Sequence, residues 1–212
     1  MKVHKFTFNP LQENTFVITD EQKNCVIIDP GCYFQEEKDT LKKFIESNSL
    51  EVKALLNTHA HLDHIMGNAF VKRSFDVELY LHKEDVVTLN MGDQSSQVYG
   101  LDQFETSPQP DKFISEGDRL QFGGIVFDVI FGPGHAPGHV AFYNKDEKIL
   151  INGDILFKGS FGRYDLPGGD FATLKRSIQD KLFHLPEDTL VYTGHGPETT
   201  IGDEKKSNPI NW

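Results

Sequence analysis

Val52-Lys53-Ala54-Leu55-Leu56-Asn57-Thr58-His59-Ala60-His61-Leu62-Asp63-His64 decides how the rest of the chain is read. Val52 to Leu56 reads as a buried strand, and four candidate metal ligands, His59, His61, Asp63 and His64, follow it within six residues. A continuous helix would set His59 and His61 roughly 200° apart, so one ion could not take both. An extended turn leaving the strand tip removes the conflict, because alternate residues then point the same way. Adjacent Asp63 and His64 diverge towards a second position, so the spacing indicates two metal ions rather than one.

Working outward, Cys25-Val26-Ile27-Ile28 is a continuous apolar run closed by Asp29-Pro30-Gly31, which fits an interior strand ending in a tight turn. Asp29 either caps that turn or accepts a hydrogen bond from a ligating histidine. Val3 to Phe8 and Thr15 to Thr19 read as a hairpin across Asn9 to Asn14. Leu41, Phe44 and Ile45 recur at helical spacing between Glu36 and Asn48. Beyond the histidines, Ile65 to Ser74 predicts a helix with Phe70 and Val71 inward, and Val77 to Leu81 a strand. Alternation on this scale predicts a layered α/β architecture.

Residues 90–112, with Gly92-Asp93-Gln94-Ser95-Ser96 and Ser107-Pro108-Gln109-Pro110, read as an unusually long loop, either a cover over a substrate or a plain excursion. From Asp118 onward the pattern is strands: a turn at Gly123-Gly124 into Ile125 to Phe131, then Val140 to Tyr143 and Lys148 to Ile151. Phe171, Leu174, Ile178 and Leu182 predict a helix, and Thr189 to Thr193 a last strand before a Gly-rich, polar tail.

Three more candidate ligands, His135, Asp154 and His195, each lie just past an expected strand among glycine or proline: Gly132-Pro133-Gly134-His135, Asn152-Gly153-Asp154 and Gly194-His195-Gly196. Small neighbours permit sharp turns and close approach of several backbones. If Asp154 bridges two ions, His59, His61, His135 and Asp154 serve one, and Asp63, His64, His195 and Asp154 the other.

The 212 residues carry a formal charge of -11 and no basic cluster, which argues against a nucleic-acid or anionic-membrane surface. No stretch resembles a signal peptide or spans a membrane, so the expectation is a single cytoplasmic domain, residues 1–212. Cys25 and Cys32 form no Cys-x-x-Cys pair and are expected to be reduced, inert thiols.

Thr58-His59-Ala60-His61-Leu62-Asp63-His64 with His135, Gly153-Asp154 and Gly194-His195-Gly196 closely resembles the metallo-β-lactamase superfamily over nearly the whole chain. The resemblance implies an α/β fold, the four-layer αββα sandwich, with a dinuclear site between the sheet edges. Within the superfamily, Gly153 to Phe157, Gly162 to Asp170 and Gly194 to Gly202 resemble short bacterial glyoxalase II-like (hydroxyacylglutathione hydrolase-like) proteins. Full-length glyoxalase II enzymes add a C-terminal helical domain that helps bind glutathione. Only Asp203 to Trp212 follow the final motif here, so no such domain is expected.

What the resemblance implies chemically is hydrolysis of a small thioester. Two divalent ions, zinc foremost with iron or manganese as alternatives, lower the pKa of a bridging water to about 7 and polarise the carbonyl. Asp63 is the catalytic candidate, binding one metal and orienting the hydroxide. Arg163 either holds an anionic part of the substrate, as basic residues of this loop do in the family, or pairs with Asp165; Tyr164 either contacts substrate or covers the site. His139, like Asp29, is expected to support the ligands by hydrogen bonding, while His4, His82 and His184 are assigned no function. Persulfide dioxygenases resemble the same motifs but hold a single iron on equivalents of His59, His135 and Asp154, and lactonases of the superfamily share the metal motif. Flavodiiron proteins suggest a non-catalytic docking role, but carry glutamate where this chain has His61.

Overall fold

A computed structural model describes residues 1–212. The first half runs β1 (Lys2–Phe8), β2 (Glu13–Thr19), β3 (Asn24–Ile28), α1 (Gln35–Ser47), β4 (Glu51–Leu56), α2 (Leu62–Ile65), α3 (Asn68–Phe75), β5 (Leu79–His82), α4 (Val86–Asn90), α5 (Gly92–Val98) and β6 (Lys112–Ile114). The second runs β7 (Arg119–Phe122), β8 (Ile125–Phe131), β9 (Val140–Asn144), β10 (Ile149–Gly153), β11 (Leu156–Phe157), β12 (Ser160–Phe161), α6 (Phe171–Arg176), β13 (Leu190–Thr193), β14 (Thr199–Thr200) and α7 (Ile201–Ser207). Strands β1 to β6 form one sheet in sequence order; the other has the order β14-β13-β10-β9-β8-β7, and β11-β12 is a separate hairpin.

Side-chain alternation along the strands builds the layers. Phe16, Ile18, Val26 and Ile28 of the first sheet face Ile125, Phe127, Val140 and Phe142 of the second in one shared core. The intervening Val17, Cys25, Ile27 and Leu55 point outward onto Leu41 and Ile45 of α1 and Phe70 and Val71 of α3. On the far side Ala141, Tyr143, Leu150 and Val191 pack against Leu174, Ile178 and Ile201. The result is helix, sheet, sheet, helix, the expected αββα sandwich. Strands buried on both faces read as continuous apolar runs, and each fully buried side chain contributes about 1.5–3 kcal/mol.

Several local expectations are corrected. Residues 90–112 are not one loop, because Gly92–Val98 is helical. Poor helix formers hold that shape through packing, with Gly92 set against Ile65 and Phe104. The helix expected from Ile65 starts at Leu62 and breaks at Gly67, whose N–H is diverted to the Pro30 carbonyl at 2.6 Å. The polar tail is folded: Thr200 caps α7, and Ile201 and Ile210 enter the outer core. Buried Glu204 accepts from Gly159 N–H at 2.9 Å, and Asn208 donates to the Ser160 carbonyl at 2.8 Å, so the tail braces the β11-β12 hairpin.

Candidate metal centre

Strand direction brings the candidate ligands together. β8 is antiparallel to β9, β9 to β10, and β10 is parallel to β13, so β8, β10 and β13 all end at the same edge. His135, Asp154 and His195 follow those ends directly, while His59 to His64 follow β4 in the facing sheet. After β4 the chain stays extended to His61, then turns into α2, which carries Asp63 and His64. Two glycines make the approach feasible. A Cβ at Gly194 would stand 2.1 Å from Asp154 Oδ1, and one at Gly153, whose φ is +54°, would stand 2.4 Å from Thr58 Oγ1.

Two triads made wholly of the candidate ligands result, His59/His61/His135 and Asp63/His64/His195, and Asp29 forms a third group with His59 and His64; the atoms of each lie within 4.8 Å of one another. His135 Nε2 lies 2.8 Å from His61 Nδ1 and 3.2 Å from His59 Nε2. His195 Nε2 lies 3.1 Å from Asp63 Oδ2, which is 3.7 Å from His64 Nε2. Asp154 stands between the triads: its Oδ2 is 3.5 Å from both His135 Nε2 and His195 Nε2, and its Oδ1 is 3.6 Å from His64 Nε2. Zinc–nitrogen bonds near 2.0–2.1 Å in a tetrahedron place donor atoms ~3.3 Å apart, close to these separations.

The outer nitrogens are engaged as donors, so in a neutral imidazole the inner one carries the lone pair. His64 Nδ1 donates to Asp29 Oδ2 at 3.1 Å, His135 Nδ1 to the Arg163 carbonyl at 2.7 Å, and His195 Nδ1 to the Gln12 carbonyl at 3.2 Å. Thr58 Oγ1 gives its proton to Asp29 Oδ2 at 2.5 Å and therefore accepts from His59 Nδ1 at 3.0 Å. In its neutral form each of these imidazoles turns a lone pair to the centre, the arrangement that metal-ligating histidines use.

Electrostatics agrees. Burial, reinforced by the neighbouring histidines, keeps the His59 imidazole well below its ordinary pKa and brings His61 down to about 3, so both are neutral and able to offer a lone pair. Burial would raise the Asp154 carboxyl, but the surrounding His64, His135 and His195 hold it well below the carboxylate range. Burial works against a charge on His64 too, yet Asp63 and Asp154 hold its pKa well up. A buried pair of carboxylates needs positive charge beside it. His64 Nε2 and Asp154 Oδ1 are buried without a hydrogen-bond partner, which bound cations would supply. The donor set fits two divalent ions.

Around the centre, Asp29 accepts from Thr58 N–H at 2.7 Å as well as from Thr58 Oγ1 and His64, so one carboxylate is bonded both to the strand exit and to a histidine. His139 is fully buried, and its Nε2 accepts from Asp154 N–H at 3.0 Å, a structural bond. His82 accepts from Glu84 N–H on a helical turn, away from the donor set. Arg163 makes a two-pronged pair with Asp165, Nε to Oδ1 and a terminal nitrogen to Oδ2, both at 2.9 Å. Tyr164 lies 4.9 Å from Phe171, ring to ring, and is partly exposed.

Some contributors had no sequence signature. Asp85 sits in Lys83-Glu84-Asp85, which looks like a surface charge run, yet it is fully buried and accepts from Ala60 N–H at 2.5 Å and Gly138 N–H at 3.0 Å. It thereby ties the His59-His61 segment to the loop carrying His135. Glu13 is also fully buried, 3.9 Å from His64 Nδ1, with burial pushing its carboxyl well up. A cavity of about 510 Å³ opens on the centre; His61, Asp63, His135, Asp154 and His195 line it together with Met91 and Tyr99.

The family described as the metallo-beta-lactamase superfamily matches residues 8–195. The hydroxyacylglutathione hydrolase GloC of Haemophilus influenzae is 38% identical over 99% of this chain and 98% of its own length. The probable metallo-hydrolase YqgX of Bacillus subtilis is 41% identical, over 99% of this chain and 97% of that protein. Among solved structures, TTHA1623 in a di-iron-bound form superposes with a TM-score of 0.88 at 39% identity, covering 98% of this chain and 100% of that one.

Proposed function

The chain belongs to the metallo-beta-lactamase superfamily, and on that premise we propose that it is a dinuclear metal-dependent hydrolase that cleaves a small thioester in the cytoplasm. The observation that carries this reading is Asp154 Oδ2, 3.5 Å from a nitrogen of each triad, where one carboxylate can serve two ions. Two full donor sets favour this over a dioxygenase holding a single iron. The similarity to GloC, a hydroxyacylglutathione hydrolase, supports thioester chemistry, and that to TTHA1623 in its di-iron-bound form supports a dinuclear centre. Histidine and aspartate donors suit zinc and iron alike, and zinc is our assignment.

When bound, the two ions supply a water of pKa near 7 and polarise the acyl carbonyl. The chain's own residues do the rest. Asp63 lines the cavity with Oδ2 turned to the donor cluster, leaving its other carboxylate oxygen to accept a hydrogen bond from the attacking hydroxide and orient its lone pair. Hydrogen bonds from His64, His135 and His195 to Asp29, Arg163 and Gln12 hold the imidazoles still, so little reorganisation accompanies the reaction. Water adds across the acyl–sulfur bond: a C–O bond forms, the C–S bond breaks, and the products are a carboxylic acid and a thiol. Elemental analysis of purified protein with assays against S-lactoylglutathione, a simple lactone and glutathione persulfide tests the reading. Two ions per chain with thioester hydrolysis are expected; one iron per chain with oxygen consumption would refute it.

A further inference from the structure

Resting on the thioesterase reading, we propose that the thiol released by this enzyme is uncharged and partly apolar, and that a carboxylate-bearing thiol such as glutathione is a poor carrier here. With ions held by His61, Asp63, His135, Asp154 and His195, the scissile carbonyl would sit at these residues and the thiol portion would lie along the rest of the cavity lining. The apolar part of that lining includes Phe157, Phe161, Leu166, Pro167, Leu62 and Met91. Beside these lie neutral hydroxyls, those of Thr88, Ser95, Tyr99 and Ser160. Arg163 is the single lysine or arginine lining the cavity, and its charge is already matched by Asp165 through both contacts at 2.9 Å. The chain as a whole, at a formal -11, offers no long-range attraction to an anion. Glutathione brings two carboxylates and one ammonium to walls that have no free cation to receive them, and desolvating unpaired carboxylates against aromatic rings is unfavourable.

The inference separates from the thioesterase reading when one acyl group is offered on two thiols. Metal-loaded protein is assayed with S-lactoylglutathione and with the lactoyl thioester of N-acetylcysteamine, a neutral thiol. The expected result is a kcat/KM at least tenfold higher for the neutral thioester; equal values, or a preference for the glutathione ester, overturn the inference while leaving the thioesterase reading intact. Hydrolysis of neither by protein carrying two ions refutes that reading and the inference with it. Asp165→Asn, which frees the Arg163 guanidinium, is expected to lower KM for the glutathione ester at least threefold and to narrow the ratio. An unchanged ratio removes the Arg163–Asp165 pair as its cause.

Discussion

Asp29 Oδ2 accepts the Nδ1–H of His64 at 3.1 Å, and the same oxygen accepts the hydroxyl of Thr58, which in turn receives His59 Nδ1. One carboxylate therefore sets the tautomer of a histidine in each triad. Its backbone, at φ +49°, is left-handed just past β3, a conformation aspartate tolerates better than most residues. Asp29→Ala is expected to weaken metal binding about 10–100-fold, the usual cost of losing a ligand's supporting partner. Competition with a chelator of known affinity measures it, and unchanged affinity would contradict the role.

Asp63 faces both His195 and His64 from the cavity lining, so it is placed to do two jobs. Asp63→Ala is expected to drop the metal content from two ions per chain to one and to reduce turnover at least about a hundredfold. Retained turnover would remove Asp63 from catalysis.

Asp85 carries a pH dependence. Burial pushes its carboxyl up to about 6, against the three hydrogen bonds from Gly138, Ala60 and Thr88 that favour the charged form. A folded pKa above the unfolded one means stability present below about 3.8 is lost as pH rises through about 6, worth ~3 kcal/mol for a shift near two units. In urea titrations of metal-free protein, the stability of wild type relative to Asp85→Asn is expected to fall by up to that amount between pH 4 and pH 7. A difference that stays level would show that Asp85 does not titrate in this range.

Burial raises the Cys25 and Cys32 thiols to about 12 each, and both are free and fully buried. Thiolate is the reactive form. Native protein is expected to resist an aromatic disulfide reagent, and both thiols to react once the chain is unfolded in guanidinium. Fast labelling of either in the native state would contradict the packing.

How much of this was legible in the sequence depended on whether the signal was local. The alternation of His59 and His61 and the glycines beside His135, Asp154 and His195 are written along single segments, and the fold brings those segments to one place. Runs such as Cys25 to Ile28 announced strands buried on both faces. What escaped depends on contacts between distant segments. Asp85 is a buried carboxylate to which Ala60 and Gly138 come from distant segments, and the helix Gly92–Val98 starts where Gly92 packs against Ile65 and Phe104. Whether Arg163 would meet substrate or Asp165 was open in the sequence, since a residue two positions away is always within reach of a side chain that long.

The two glycines of Gly194-His195-Gly196 look equivalent in sequence, and the structure separates them. A Cβ at Gly194 would fall 2.1 Å from Asp154 Oδ1 and 2.8 Å from His64 Cε1, so Gly194→Ala pushes on both donor sets at once. Gly196 has open space around it but a φ of +74°, so alanine there meets only backbone strain, about 1–2 kcal/mol. Gly194→Ala is therefore expected to cost metal affinity and turnover together with about 1–3 kcal/mol of stability. Gly196→Ala should lower Tm by a few degrees while the metal content stays at the wild-type value. Parallel calorimetry and elemental analysis of the two variants measure the contrast. Equal metal loss in both would mean that His195 is positioned by the flexibility of its neighbours and not by the close approach of Gly194 to Asp154.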